Sequence, residues 1–210
     1  MSARSLSVAV TAIAAAMVLT ACGGGDSKPK DDKINGAEEG AGKPSEAAST
    51  SHPRAGRPEV KLPDNFRMNF EGWANADPKL QAILDDGKEE LRAEHEAIIN
   101  KDDRSESVDF YNSDDSLKGA REYIKGHIEE NETLVGVLRI FGPQVHINNG
   151  RGILLYCMDE SKGYTKNRKT GEMKGTRPGK NPHLLYRVML SKNSDGVWVT
   201  TRAEAERGEC

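Results

Sequence analysis

A few histidine, tyrosine and aspartate side chains lie where they could transfer protons in a pocket. These candidate pocket residues are His95, His127, Tyr156 and Asp159. Histidine is the most common general acid or base near neutral pH, and tyrosine or aspartate can bind a developing oxyanion. His95 follows Leu91 by four residues and so shares the apolar stripe of a predicted helix, which favours a hydrogen-bonded core histidine over a pocket acid or base. Pocket and structural roles both stay open, and no catalytic residue is assigned.

The first 22 residues have the pattern of a secretory leader. Arg4 precedes 14 uncharged, mostly apolar residues (6–19), and small residues follow. The apolar stretch is too short to cross a membrane, which takes about 17–25 residues. The motif Leu19-Thr20-Ala21-Cys22 resembles the lipobox of bacterial lipoproteins. That resemblance implies a signal peptide over residues 1–21, a lipid on the Cys22 thiol, and a location on the outer face of the cytoplasmic membrane.

A polar linker separates this leader from the region that can fold. Between residues 23 and 58 the only large aliphatic side chain is Ile34, and Gly, Ala, Ser, Pro and charged residues make up most of the rest. Such a segment cannot bury enough apolar surface to offset its chain entropy. Residues 22–60 are therefore predicted to be the lipidated cysteine and a disordered tether, and residues 61–210 a globular α+β domain.

The order of predicted helices and strands indicates an α+β fold. Apolar residues at spacings of three, four and seven predict a helix over 77–101, with Asp77 as N-cap and Pro78 in the first position. A second helix is predicted over 115–131. Short β-prone runs then follow, separated by turn residues: 134–141, 145–147, 153–157, 184–190 and 197–201. Two N-terminal helices should therefore pack on an antiparallel sheet.

Two cysteines remain in the domain once Cys22 is assigned to the leader. In an oxidising compartment Cys157 and Cys210 are expected to form a disulfide that fixes the C-terminus to the middle of the sheet. The alternative is that Cys157 is a reactive nucleophile paired with a histidine. The disulfide is the preferred prediction, because Cys210 is otherwise an unusual last residue for a secreted chain.

Charged residues are segregated along the chain. Residues 85–115 hold 12 acids and four bases, whereas residues 162–182 hold seven bases and one acid. Asp86, Glu90 and Glu94 repeat at intervals of four on the first helix, and because like charges repel, that face is predicted to be exposed to water. The basic stretch is predicted to form a long hairpin or loop, either simply solvated or used for docking. The candidate docking residues are Lys166, Arg168, Lys169 and Lys174.

Several short motifs make the chain resemble small secreted lipoproteins of actinobacteria whose function is unknown. The residues that carry the likeness are Phe110-Tyr111, Tyr156 to Ser161, Gly196 to Thr200 and Cys210. These proteins look similar to cystatin-like, nuclear-transport-factor-type domains, so the resemblance implies a curled antiparallel sheet that closes into a cone around a helix. That fold hosts isomerases, cyclases, carriers and dimerisation modules, and so does not decide function.

The sequence favours a lipid-anchored envelope protein whose domain binds or scaffolds without catalysing a reaction. The expected partners are the membrane, through acylated Cys22, and an anionic wall polymer or envelope protein. A chain with 30 basic and 33 acidic residues is not expected to bind nucleic acid, and neither a metal nor another cofactor is predicted. The alternatives are a carrier or sensor of a small apolar ligand, which predicts a large cavity, and a cone-fold isomerase or cyclase, which predicts a cavity histidine bonded to a carboxylate.

Overall fold

The computed structural model describes residues 56–210, which form three helices and six strands. The predictions for the signal peptide, Cys22 and most of the tether lie outside these described residues. In chain order the elements are β1 (Phe66–Phe70), α1 (Pro78–Asn100), α2 (Glu106–Tyr111), α3 (Asp114–Glu129), β2 (Glu132–Asn148), β3 (Arg151–Asn167), β4 (Met173–Lys174), β5 (His183–Lys192) and β6 (Trp198–Arg207). No helix within residues 56–210 is long and apolar enough to span a membrane.

One mixed sheet carries the fold, in the order β1-β2-β3-β5-β6, with β4 paired to the far end of β3. β1 runs parallel to β2 and all other pairs are antiparallel. The register shifts twice in β2, between Val137 and Arg139 and between Phe141 and Gln144. Bulges of this kind bend and twist a long strand, which curls the sheet around the helices. The predicted α+β fold with a curled sheet is confirmed.

Helix α1 crosses the concave side of the sheet and begins where the sequence predicts. The Asp77 side chain accepts a hydrogen bond from the Lys79 backbone N–H, and Pro78 occupies the first helical position. In its apolar stripe, Ile83 and Ile98 are fully buried. The second predicted helix corresponds to α3. The short helix α2 and the edge strand β1 were not predicted.

The prediction that the acidic face of α1 is exposed to water is wrong. Asp86 is only 1 % exposed and Glu90 only 7 %. The Arg57 guanidinium binds both carboxylate oxygens of Asp86, at 2.6 and 2.9 Å, and the Trp198 backbone N–H donates to the same carboxylate at 2.9 Å. Charge pairing across the sequence therefore makes it possible to bury a carboxylate that local spacing places at the surface.

The disulfide between Cys157 and Cys210 is present, as predicted, with the two Cα atoms 6.0 Å apart. It joins the middle of β3 to the last residue of the chain. Cys157 is therefore bonded and is not a free nucleophile.

Candidate functional site

A cavity of about 550 Å³ lies between α1, α3 and the concave side of the sheet. This volume falls within the range of about 300–1,000 Å³ that is typical of small-molecule sites. Apolar side chains from four elements form its walls: Phe66 on β1, Leu91 on α1, Leu134 and Leu138 on β2, and Met158 on β3. Side chains on a strand alternate between the two faces of a sheet, so Leu134 and Leu138 point to the same side.

One wall of the cavity depends on a glycine. Gly163 lines the cavity on β3, and a Cβ at this position would collide with the Leu138 side chain. Glycine at this position therefore lets the Leu138 side chain lie across β3. A larger residue would force the wall inwards or displace Leu138.

A pair of carboxyl groups lies against this cavity. Glu94 lines it, and Glu90, one helical turn earlier, is buried. Burial raises the pKa of Glu94, and burial together with the charge of Glu94 raises the pKa of Glu90 well above its usual value. Both carboxyl groups are therefore harder to ionise than solvated glutamates.

Asn112 fixes the buried end of this pair. The Asn112 amide N–H donates to the Val108 carbonyl at 3.2 Å, and its side-chain oxygen accepts from the Ser116 hydroxyl at 2.8 Å. These bonds orient the amide, and the Asn112 side chain lowers the pKa of Glu90, against the effect of burial. The network is set by α2 and the start of α3, two elements that lie beyond α1 in the sequence.

His95 lines the same cavity and is 6 % exposed. Its Nδ1 lies 2.7 Å from the Leu91 carbonyl oxygen, which can only accept, so Nδ1 carries the proton and Nε2 does not. The ring stacks on Phe66 with centroids 5.5 Å apart. Burial lowers the pKa of His95 to about 4, which makes it a neutral imidazole at physiological pH.

Tyrosine side chains close the cavity on the β5 side. Tyr186 lines the cavity and stacks on Tyr156, with ring centroids 4.9 Å apart and planes inclined by 6°. Tyr156 itself is buried behind the wall and packs against Trp73. Burial raises the pKa of Tyr156 well above its ordinary value, so its hydroxyl keeps its proton. Tyr156 therefore supports Tyr186 and does not line the cavity.

The mouth of the cavity is basic. The exposed side chains of Lys174, Arg177 and Lys180 line it, together with Arg207. Arg207 is 2.8 Å from a carboxylate oxygen of Glu160, which also lines the cavity. The basic stretch predicted as a hairpin or loop thus forms the end of β3, the short strand β4 and the loop that follows, and part of it borders the mouth.

The structure places two of the four candidate pocket residues at this site. His95 lines the cavity and Tyr156 lies directly behind its wall. His127 lies elsewhere, with Nδ1 3.0 Å from a Glu132 carboxylate oxygen. Asp159 is also outside the cavity lining, and its carboxylate is 3.6 Å from the His183 ring.

The four candidate docking residues lie in three different environments. The Arg168 guanidinium donates to the backbone carbonyls of Ile98 and Ile99 and so caps the C-terminus of α1. Lys174 lines the cavity mouth, 3.4 Å from Glu132. Lys166 and Lys169 are exposed.

Sequence reasoning missed four residues that define the site: Glu94, Tyr186, Arg177 and Lys180. A signal for one of them was available. Like-charged residues four apart on a helix are unfavourable, and Glu90 and Glu94 form such a pair directly beside the apolar residue Leu91. Two acidic residues that repel each other beside an apolar stripe can indicate either a functional site that contains carboxyl groups or a helix face exposed to water.

Helices that cover the concave side of a curled sheet, with a cavity between them, define a cone-shaped α+β domain. The chain matches no protein-family model and no curated relative.

Solved structures similar to this chain are cone-fold proteins of low sequence identity. A ketosteroid isomerase-like protein from Erwinia carotovora atroseptica has a TM-score of 0.45 and 16 % identity, covering 64 % of this chain and 99 % of its own. An NTF2-like family protein from Streptomyces avermitilis has a TM-score of 0.43 and 10 % identity, covering 65 % and 100 %. An NTF2-like protein with a cystatin-like fold from Novosphingobium aromaticivorans has a TM-score of 0.40 and 11 % identity, covering 64 % and 93 %. The likeness concerns the fold alone.

Proposed function

We propose that this protein is a lipid-anchored envelope protein whose cone domain binds a small, largely apolar ligand, as a carrier or sensor. The observation that carries the proposal is the cavity of about 550 Å³, whose lining combines five apolar wall residues with polar and charged side chains. Small-molecule sites share this combination of apolar walls and placed polar groups. A domain used only as a scaffold would be expected to fill the cone with side chains.

The polar groups of the cavity suit binding better than the chemistry considered from the sequence. An acid–base enzyme was expected to place a carboxylate within hydrogen-bond reach of a cavity histidine. The Nδ1 of His95 is instead bonded to the Leu91 carbonyl, and His127 and Asp159 lie outside the cavity lining. These contacts favour a ligand held by apolar walls and oriented by Glu94 and Tyr186.

The anchoring part of the proposal rests on the sequence motif Leu19-Thr20-Ala21-Cys22. Two acyl chains give stable membrane attachment, whereas one gives only marginal binding. Expression in a bacterium fed with an alkyne-tagged fatty acid should label the wild-type chain and leave Cys22→Ala unlabelled. Equal labelling of the two chains would refute the lipidated cysteine.

The binding proposal is tested with a neutral fluorescent probe, N-phenyl-1-naphthylamine, and the secreted full chain carrying Cys22→Ala. That chain has no acyl group of its own to occupy the cavity. The probe should bind, and Leu134→Trp, which fills the cavity, should weaken binding at least about tenfold, because the apolar volume is lost. Ile147→Trp, at an exposed position on β2, is the matched control and should leave binding unchanged.

Circular dichroism checks that each variant is folded, and Leu138→Phe supplies a second cavity-filling variant if Leu134→Trp does not fold. The proposal would be refuted if the folded wild-type chain bound no probe. It would also be refuted if both cavity-filling variants bound the probe as tightly as the wild-type chain. Native mass spectrometry of the same chain should also show a bound molecule that the filling variants lack.

A second candidate function is proton transfer at Glu94. The specific observation is that its carboxyl group lines the cavity one helical turn from the buried Glu90, and burial raises its pKa. If the molecule bound to the purified chain changes mass or isomeric form during incubation, Glu94→Gln should stop that change while retaining the ligand. A ligand that stays unaltered over hours with the wild-type chain would exclude this function for that ligand.

A further inference from the structure

We propose that the ligand is a single-chain amphipathic anion, with its apolar chain in the cavity and its anionic group at the mouth against Arg177 and Lys180. This inference rests on the proposed function and specifies its ligand class. It joins three features of the described residues: an apolar wall, a cationic rim and a buried hydroxyl group at that rim.

More cationic than acidic side chains line the cavity, and two of the cationic side chains have no acidic partner among the described residues. Four cationic side chains line it, Lys174, Arg177, Lys180 and Arg207, against two carboxyl groups, Glu94 and Glu160. Lys174 is paired with Glu132 and Arg207 with Glu160. Within residues 56–210, Arg177 and Lys180 form no ion pair. The rim therefore keeps two cations for an external anion.

The carboxyl groups of the lining do not cancel this attraction. The Glu160 carboxylate is 2.8 Å from Arg207 and already has a partner. Glu94 lies one helical turn from Glu90, and burial raises the pKa of its carboxyl group, which opposes its ionisation. His95 is neutral there because its pKa is lowered to about 4. The net positive charge is thus concentrated at the mouth.

The loop that carries these cations also holds a polar group without a partner. Thr176 lines the cavity beside Arg177, and its hydroxyl oxygen is buried with no hydrogen-bond partner among the described residues. A buried hydroxyl that lacks a partner costs free energy, and a ligand atom at the mouth would supply that partner. A hydroxyl donor next to an arginine in the chain suits a carboxylate or phosphate oxygen.

The apolar walls determine the rest of the ligand. The cavity runs past Leu91, Leu134, Leu138 and Met158, with Phe66 stacked behind His95. A volume of about 550 Å³ suits a molecule of drug size, and therefore one hydrocarbon chain and not two. Glu94, His95 and Tyr186 are among the polar lining residues that do not belong to the cationic rim.

The experiment compares three ligands with the same 16-carbon chain by displacement of N-phenyl-1-naphthylamine from the full chain carrying Cys22→Ala. Hexadecanoate and hexadecyl phosphate carry the anion, whereas methyl hexadecanoate is neutral. We expect at least one anion to bind about tenfold more tightly than the ester at low salt, since each of two exposed ion pairs contributes a factor of a few. That preference should shrink as the salt concentration rises. A carboxylate preference would indicate a free fatty acid, and a phosphate preference a phospholipid headgroup.

The double variant Arg177→Gln/Lys180→Gln should remove the preference for the anion and leave the affinity for the ester unchanged. Lys166→Gln/Lys169→Gln is the matched control, because it makes the same charge change at exposed positions that do not line the cavity. The control should keep the preference.

Each other outcome overturns the inference. Equal affinity for the ester and both anions, with no effect of the rim variant, would refute the ligand class while the proposed function stands. The cationic ligand hexadecyltrimethylammonium tests the opposite charge. If it binds more tightly than either anion, the ligand class is refuted while the proposed function stands, and the site is assigned to a cation facing Glu94. Failure of all the ligands and of the neutral probe to bind would refute the proposed function itself.

Discussion

His95 should make the domain sensitive to mild acid, and His95→Asn should remove that sensitivity. The imidazole is buried at the cavity wall, stacks on Phe66 and donates through Nδ1 to the Leu91 carbonyl. Asparagine can make the same donation from its amide but does not titrate. The substitution therefore keeps the hydrogen bond and removes the protonation.

The size of the effect follows from the pKa of His95, which burial lowers from 6.5 to about 4. Between these two values the unfolded chain binds a proton that the native chain does not, so the free energy of unfolding decreases as the pH decreases. The stabilisation is fully present above pH 6.5 and is lost progressively down to about pH 4. At 1.36 kcal/mol per pH unit, the loss is about 2 kcal/mol between pH 7 and 5, and about 3 kcal/mol by pH 4.

Urea unfolding monitored by tryptophan fluorescence at several pH values from 8 to 4 measures this difference. Glu90 acts in the opposite direction, because a raised carboxyl pKa makes the native state less stable as the pH rises above 4.5. The prediction therefore concerns the difference in the free energy of unfolding between the wild-type chain and His95→Asn, because the contribution of Glu90 cancels in that difference. His146→Asn, the same substitution at an exposed position on β2, is the matched control.

A difference between wild type and His95→Asn that stays constant from pH 7 to 5 would show that the buried imidazole does not resist protonation. It would equally show that the cavity is wet enough to solvate an imidazolium ion. That result would weaken the apolar character on which the ligand-binding proposal depends.

Three further substitutions test contacts that hold the site in place, and urea unfolding at pH 7 measures each. Arg57→Gln should cost about 3 kcal/mol because it leaves the Asp86 carboxylate buried without its cation, and adding Asp86→Asn should recover much of that loss. Cys210→Ser should cost about 4 kcal/mol on the chain-entropy estimate for a 53-residue separation, and dithiothreitol should have the same effect on the wild-type chain. Arg168→Gln should cost about 1–3 kcal/mol through three lost bonds to carbonyl groups, whereas Lys169→Gln should cost nothing measurable.

The elements with strong local signals could be predicted from the sequence. The apolar spacing and the Asp77-Pro78 start define α1 to within one residue at its first turn. The Asn149-Gly150 turn joins β2 to β3, and both residues have the positive φ, 48° and 76°, that a two-residue hairpin turn requires. These features depend only on neighbouring residues.

The elements that were missed depend on distant partners. Strand β1 pairs in parallel with β2, so that Phe66 lies opposite Gly136, 70 residues further along the chain. Helix α2 has six residues, too short to be stable without tertiary packing of Val108 and Tyr111. Strand β3 extends to Asn167 through polar residues with little strand preference, because β2 and β4 pair with that end.

The candidate site was the hardest feature to predict, because local rules place its carboxyl groups on the wrong face. Asp86, Glu90 and Glu94 form one line along α1, and a line of like charges normally faces water. Asp86 is buried with a cation from Arg57 and an N–H from Trp198. Neither partner can be recognised from the helix sequence.

The three acidic residues along α1 differ in whether the fold accounts for their position. Asp86 joins the segment before β1 to the start of β6, so its burial is explained by the ion pair and hydrogen bond that it makes. Glu90 and Glu94 form no ion pair among the described residues, and burial raises the pKa of both carboxyl groups. Burying carboxyl groups without a cation costs free energy. Carboxyl groups kept at such a cost beside a cavity are typical of sites that contact a ligand, and this is the reason to expect Glu94 to contact the bound ligand.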